Sequence, residues 1–238
     1  MAKQVNRYAS DGTTPAQSSY DEGAVHDGES STPRRTWWTN ASTEGETLEG
    51  CQFEIGPVGE NDGDDYVQTA PDIPVAAPGQ CSAALHTGIA LEIGYYEYAI
   101  TFVTANGETV AGTRRSITTT SGNQKVDLSA IPVGPSGVTK RRIYRTAVGG
   151  GALKLVHELA DNVTTVYLDE IADASLGVAP PTLNTSGSPG TWTTDDITIG
   201  DVSAGAYEAC WMRYNIPAGA AQVGNPRRAK VTFRETGA

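Results

Sequence analysis

Hydrophobic and polar positions along this chain alternate in short runs with a period of two. In residues 48–55, Cys51, Phe53 and Ile55 fall on one side and Gln52 and Glu54 on the other, the pattern of a half-buried strand. The longest such run is 94–104, Gly94-Tyr95-Tyr96-Glu97-Tyr98-Ala99-Ile100-Thr101-Phe102-Val103-Thr104, which continues through Asn106-Gly107 into Glu108-Thr109. That reads as strand, tight turn and more strand. No segment carries a convincing helical period, so the predicted class is all-β.

Further strands are predicted at 36–40, 109–119, 124–128, 141–146, 153–159, 165–169, 197–199, 206–216 and 229–234, with a short strand at Trp192. Turn signals separate them: Ser121-Gly122-Asn123, the stretch 132–137, and Gly149-Gly150-Gly151. Residues 82–91 are predicted to form at most a short turn of helix. Residues 1–35, rich in Ser, Thr, Gly and Asp, read as an extended arm with one weak strand near Ala24 and Val25.

Two proline-bearing connectors divide the chain, one with Pro71, Pro74 and Pro78 and one, at 177–190, with Pro180, Pro181 and Pro189. Each proline fixes φ and removes a ladder donor. The segment between them has the length and strand spacing of a seven-strand sandwich of about 100 residues. The outer segments are each too short for a core of their own. The expected organisation is therefore an arm (1–35), a discontinuous immunoglobulin-like β-sandwich (36–78 with 186–238), and a second β-sandwich (79–185) inserted into it.

Composition narrows the function. The formal charge of −11 argues against nucleic acid as a partner, because phosphate binding needs a dominant cationic surface. The start of the chain has no apolar stretch of the secretory kind, and no run of about 18 apolar residues occurs anywhere. Cytoplasmic synthesis and no membrane partner are expected. Cys51, Cys81 and Cys210 are an odd number without metal-type spacing and read as buried free thiols, although a Cys51–Cys210 bridge would join the two outer segments.

Candidate chemistry is sparse. His26, His86 and His157 are scattered, and no Gly-x-Ser-x-Gly elbow places a serine beside a base. The acidic run Asn61-Asp62-Gly63-Asp64-Asp65 lacks the spacing of a calcium loop. Asp169-Glu170 and Asp195-Asp196 are adjacent and point apart, which reads as ordinary surface charge. No catalytic residue, metal or cofactor is assigned, and an enzyme is not expected. The doublets Arg34-Arg35, Arg114-Arg115, Arg141-Arg142 and Arg227-Arg228 are read either as partners for neighbouring subunits or as charges beside acidic residues of their own sheet. Trp37-Trp38 cannot place both rings on one face, so one is expected in the core and the other free for a partner, a linker contact or a sugar. Arg34, Arg35, Trp38, Arg227 and Arg228 are the candidate interface residues.

Residues 88–181 resemble the fibronectin-type-III-like modules of tailed-phage tail and fibre proteins. The likeness is carried by Gly94-Tyr95-Tyr96-Glu97-Tyr98, Ile131-Pro132-Val133-Gly134-Pro135-Ser136-Gly137-Val138-Thr139, Arg141-Arg142-Ile143-Tyr144-Arg145-Thr146 and Asp161-Asn162-Val163-Thr164-Thr165-Val166-Tyr167-Leu168-Asp169. Tyr20–Gly28 and Trp211–Gly219 make the outer segments similar to phage or archaeal immunoglobulin-like modules. The resemblance implies a virion structural protein of tail, baseplate, neck or capsid surface, present in several copies and binding other virion proteins. A receptor-binding module for a host glycan is the alternative, with Trp38 or Trp192 stacked on the sugar. Such modules carry no set of functional residues to transfer.

Overall fold

The computed structural model describes residues 5–8, 29–42, 46–57, 66–216, 218 and 229–235. Among the described residues no α-helix occurs, and nearly all regular structure is antiparallel β. The chain divides into two compact units, one formed by residues of 1–73 and 188–238 and the other by Pro74–Gly187. The expected weak strand near Ala24, the acidic loop 61–65, His26, Arg227 and Arg228 lie outside the described residues.

The discontinuous unit holds β1 (Val5–Tyr8), β2 (Arg34–Asn40), β3 (Leu48–Pro57), β4 (Val67–Ile73), β14 (Ser188–Pro189), β15 (Ile197–Val202), β16 (Tyr207–Tyr214) and β17 (Ala229–Arg234). They form two sheets, of order β1-β2-β16-β4-β14 and β15-β3-β17. β1 pairs with β2 of its own chain, so Val5–Tyr8 belongs to a sheet and not to a free arm. Trp38 and Cys210 from the first sheet meet Phe53 from the second in a buried cluster flanked by Ile197, Ile199, Met212 and Phe233. The Trp38 and Phe53 ring centroids are 4.7 Å apart, and Phe53 meets Phe233 edge-on at 5.6 Å.

Pro71 lies inside β4 and not in a connector. It stands opposite Cys210, while Gly190 donates its N–H to the Pro71 carbonyl on the other side. A residue's N and O point to the same side of an antiparallel strand, so the missing donor faces the two-residue strand β14, where little pairing is lost.

The continuous unit holds β5 (Ser82–His86), β6 (Gly88–Ile89), β7 (Tyr95–Thr104), β8 (Gly107–Glu108), β9 (Arg115–Thr118), β10 (Asn123–Ser129), β11 (Val138–Arg145), β12 (Lys154–Leu159) and β13 (Tyr167–Asp169). One sheet runs β13-β10-β5, with β6 on β10; the other runs β12-β11-β7-β8, with β9 on β7. Tyr96, Tyr98, Ile100 and Ile143 from the second sheet close on Val126 and Leu128 from the first, giving a sandwich core. Residues 82–86, expected as a helical turn, are strand because they pair in continuous register with 125–129. Tertiary pairing outweighs the intrinsic helical preference of Ala83, Ala84 and Leu85.

One end of this sandwich is closed by a polar clamp. Arg141, fully buried, donates from Nη1 to the Pro132 carbonyl at 3.1 Å and from Nη2 to Asp161 Oδ1 at 2.8 Å. Asp161 Oδ1 also accepts the Val163 and Thr164 N–H groups, and its Oδ2 accepts the Thr164 hydroxyl. Asn162 exchanges two hydrogen bonds with the Gly134 backbone, at 2.8 and 2.9 Å. Two loops are thereby joined to the middle of β11.

Cys51, Cys81 and Cys210 are buried and not joined in a disulfide, and burial pushes the Cys210 thiol up to about 12. In the native protein at pH 8 all three are expected to resist a disulfide-exchange reagent, and all three to react once the chain is unfolded in denaturant. Rapid native reaction of any one would contradict its burial. The hydrogen bonds from Thr164 and Val163, with Arg141, hold the Asp161 carboxyl well below the usual carboxylate range. Its stabilising contribution is therefore complete above the unfolded value of about 3.9 and is lost as pH falls toward the folded value. Asp161→Asn is expected to melt below wild type at pH 7, with the gap closing below about pH 4; paired melting curves across that range check it.

Candidate functional site

β7 runs the length of the continuous unit, and its ten residues span about 33 Å at ~3.3 Å per residue. Its C-terminal end lies beside the places where the chain enters and leaves the unit. There the Val75 N–H donates to Ser186 Oγ at 3.0 Å, Thr104 Oγ1 to the Ser186 carbonyl at 2.9 Å, and Asn106 Nδ2 to the Gly187 carbonyl at 2.9 Å. The N-terminal end of β7 is built from the stretches 86–95, 118–123, 146–151 and 171–176.

This end exposes three large apolar side chains beside the polar residues Thr87, Glu92, Thr118, Thr120 and Ser121. Ile89 is 80% exposed, Ile93 58% and Tyr95 41%, three large side chains within seven positions. Scattered exposed hydrophobes are ordinary, but a group of them at one extremity of a domain marks a contact surface. Val133, Val163 and Val166 are also exposed, on the clamped loops at the opposite end.

The backbone beneath Ile93 and Tyr95 is fixed. The Gly94 N–H donates to Thr119 Oγ1 at 3.0 Å, the Tyr96 hydroxyl to the Glu92 carbonyl at 3.1 Å, and the Gly149 N–H to the Tyr95 carbonyl at 2.9 Å. Gly94 passes so close to Val148 that an added Cβ would stand 2.5 Å from Val148 Cγ2. Glycine is required there by close approach.

Below lies a buried ionic network. Arg145 and Asp169 are both fully buried and joined Nη1 to Oδ2 at 2.6 Å, and the Tyr98 hydroxyl donates to the same oxygen at 2.6 Å. Arg145 Nη2 reaches Asp173 Oδ1 at 2.6 Å and the Ile171 carbonyl at 2.9 Å, and Asp173 Oδ2 accepts the Val148 N–H at 2.7 Å. The guanidinium stands 5.0 Å from the centre of the Tyr96 ring. Burial and the neighbouring Asp169 carboxylate both push the Tyr98 hydroxyl far up. One cation thus holds β7, β13, the loop after β11 and the 3-10 turn Asp173–Ser175 together.

Asp169, expected as surface charge, is the buried anion of this network, while its neighbour Glu170 faces outward to Lys125 Nζ at 2.6 Å. The signal for it was present in the alternation Arg141, Ile143, Arg145, where two cations share a face with an apolar residue. Of the candidate interface residues, Arg34 is exposed, but Arg35 and Trp38 are buried. Trp37 and Trp38 are each 4% exposed, so neither indole is free for a partner. The reason is that both faces of β2 are covered: Trp38 lies in the inter-sheet core, and Trp37 lies 5.0 Å from the Arg35 guanidinium, which also approaches Trp211 at 5.2 Å. Asp72 receives the Trp211 indole N–H at 2.6 Å and lies 3.5 Å from Arg35.

In the other described doublets Arg114, Arg141 and Arg142 find anions in their own unit: Arg114 on Glu97, Arg141 on Asp161, and Arg142 on Glu108 and Glu158. His86 pairs with Asp127 at 2.8 Å on an exposed face, and His157 stacks on Tyr167 at 4.6 Å. Among the described residues no group of three or more His, Cys, Asp or Glu could hold a metal ion.

Asp169→Ala leaves the Arg145 charge buried without its main partner and is expected to cost about 3–5 kcal/mol, read as a lowered denaturation midpoint; a loss under 1 kcal/mol in order of magnitude would remove the network from its structural role. Compared with known protein families and with curated proteins, the chain matches no family model and no curated sequence.

Proposed function

We propose that this chain is a non-enzymatic structural component of a tailed-phage particle, at the tail, baseplate, neck or capsid surface, and that it works by protein–protein attachment. The observation that carries the reading is the far end of the continuous unit, where Ile89, Ile93 and Tyr95 stand exposed on a rigid base some ten strand residues away from the chain connections. Attachment surfaces gain from apolar anchors already held in place, because little conformational freedom is lost on binding. The resemblance of residues 88–181 to tail and fibre modules supports the same reading and supplies the kind of particle. Its partners are other virion proteins, and it acts in several copies.

Recognition of a host glycan is the second reading. Trp38 is in the core and Trp192 has the Arg213 guanidinium 4.3 Å over its ring, so among the described residues this reading rests on Tyr95, 41% exposed.

Gold labelling of particles from the source lysate, with an antibody against residues 74–187, is expected to mark one defined place on the virion. Bare particles with the protein free in the lysate would overturn the proposal. The double variant Ile89→Ser/Ile93→Ser is expected to lose incorporation into particles while its stability changes by no more than about 0.5 kcal/mol, as surface changes do. Binding of cell-wall polysaccharide that Tyr95→Ala abolishes would transfer the assignment to the glycan reading.

A further inference from the structure

β7 turns into β8 through Ala105 and Asn106, and the ladder resumes at Gly107, opposite Thr104. Residues 184–187 seat on this hairpin. The Thr185 N–H donates to the Glu108 carbonyl at 2.9 Å, and the Glu108 N–H to Thr185 Oγ1 at 3.1 Å. Thr104 Oγ1 donates to the Ser186 carbonyl and Asn106 Nδ2 to the Gly187 carbonyl, each at 2.9 Å. Thr104 Oγ1 also accepts the Asn106 N–H at 3.2 Å.

The seating fixes both residues of the pair Asn106-Gly107. A Cβ on Gly107 would stand 2.4 Å from the Thr185 carbonyl oxygen, and φ there is +152°, so glycine is required. Asn106 holds a backbone carbonyl with its amide nitrogen while the residue itself stands exposed to water. This is the chain's one Asn-Gly step. In such a step the next backbone nitrogen attacks the asparagine side chain most easily, because glycine puts no side chain in the way. Packing thus imposes a chemically labile pair on the turn.

We propose that Asn106 is a site of spontaneous, one-way deamidation, and that losing its amide donor unseats residues 184–187 from the β7–β8 hairpin. The Gly107 nitrogen gives its proton to solvent and attacks Asn106 Cγ. The N–Cγ bond forms, the Cγ–Nδ2 bond breaks, and Nδ2 leaves as ammonia with an equivalent proton. Water then opens the five-membered imide: at Cγ to give aspartate, or at the backbone carbonyl carbon to give iso-aspartate, whose chain runs through Cβ and Cγ. Water is the only co-reactant, and nothing is oxidised or reduced. Aspartate at 106 is ionised at neutral pH and has no proton to donate, so it sets a charged oxygen against the Gly187 carbonyl oxygen. Iso-aspartate lengthens the turn by one backbone atom and disturbs the pairing of Val103 with Glu108. Seating restrains the reacting groups, so the folded chain reacts through transient openings of the turn and more slowly than an unfolded one. The inference does not rest on the particle reading.

The test is incubation of the folded full chain at pH 8 for several weeks, followed by digestion with a protease that cuts after glutamate. This releases Tyr98–Glu108, in which Asn106 is the sole asparagine. The peptide is expected to gain about 1 Da and to separate into two products of equal mass, sooner than any other asparagine-bearing peptide and faster at pH 8 than at pH 6. In Asn106→Gln the same peptide should keep its mass. Hydrogen exchange at the Thr185 amide, followed by NMR, should rise about tenfold or more in the aged chain and in Asn106→Asp, while exchange at Ile143, within β11, stays as in the fresh chain. A Tyr98–Glu108 peptide that keeps its mass, or another asparagine that converts first, would overturn the site. Thr185 exchange that is unchanged in both the aged chain and Asn106→Asp, or that rises no more than exchange at Ile143, would overturn the unseating.

Discussion

A guanidinium and a carboxylate sealed from water, Arg145 and Asp169, are what the architecture of the continuous unit hangs on. A buried ion pair is no strong source of net stability, since desolvating both charges offsets most of their attraction. Its value here lies in geometry. The unpaired alternatives are costly, so every element that supplies a partner to Arg145 or Asp169 is held in one arrangement: β7 through Tyr98 and the 3-10 turn through Asp173, whose other oxygen in turn holds the Val148 N–H of the loop after β11. Ile93 and Tyr95 are carried on the backbone that this arrangement supports.

The discontinuous unit repeats the device in different material. Arg35 lies between two indole rings and beside Asp72, which Trp211 also binds. Burial pulls Arg35 down and pushes Asp72 up, and their mutual attraction opposes both shifts. Tryptophan serves both faces of β2, as hydrocarbon in the core through Trp38 and as a π-surface for a cation through Trp37. In both units arginine acts as an internal strut.

Much of the fold was legible in the alternation of residues. The strand 94–104, the run 48–55 and the final strand 229–234 follow from period two alone, and the Asn106-Gly107 turn from its residue types. β1 and β4 were not legible: Val5–Tyr8 is strand because β2 offers an edge, and β4 tolerates Pro71 because the side it disables faces a two-residue neighbour. Whether Ser82–His86 is helix or strand depends on residues forty positions away that no local window contains.

The candidate site divides the same way. The sequence by itself determined the class, the alternating faces of each strand, the acidic charge and the sparse pairing signals for metal or nucleophile chemistry. The tertiary structure alone decided which arginines are buried, that Asp169 is an internal anion, that neither Trp37 nor Trp38 is open, and that Ile89, Ile93 and Tyr95 are exposed. The physical reason is that periodicity reports which residues share a face, whereas exposure depends on what that face meets, and that is set by pairings between segments far apart in the chain.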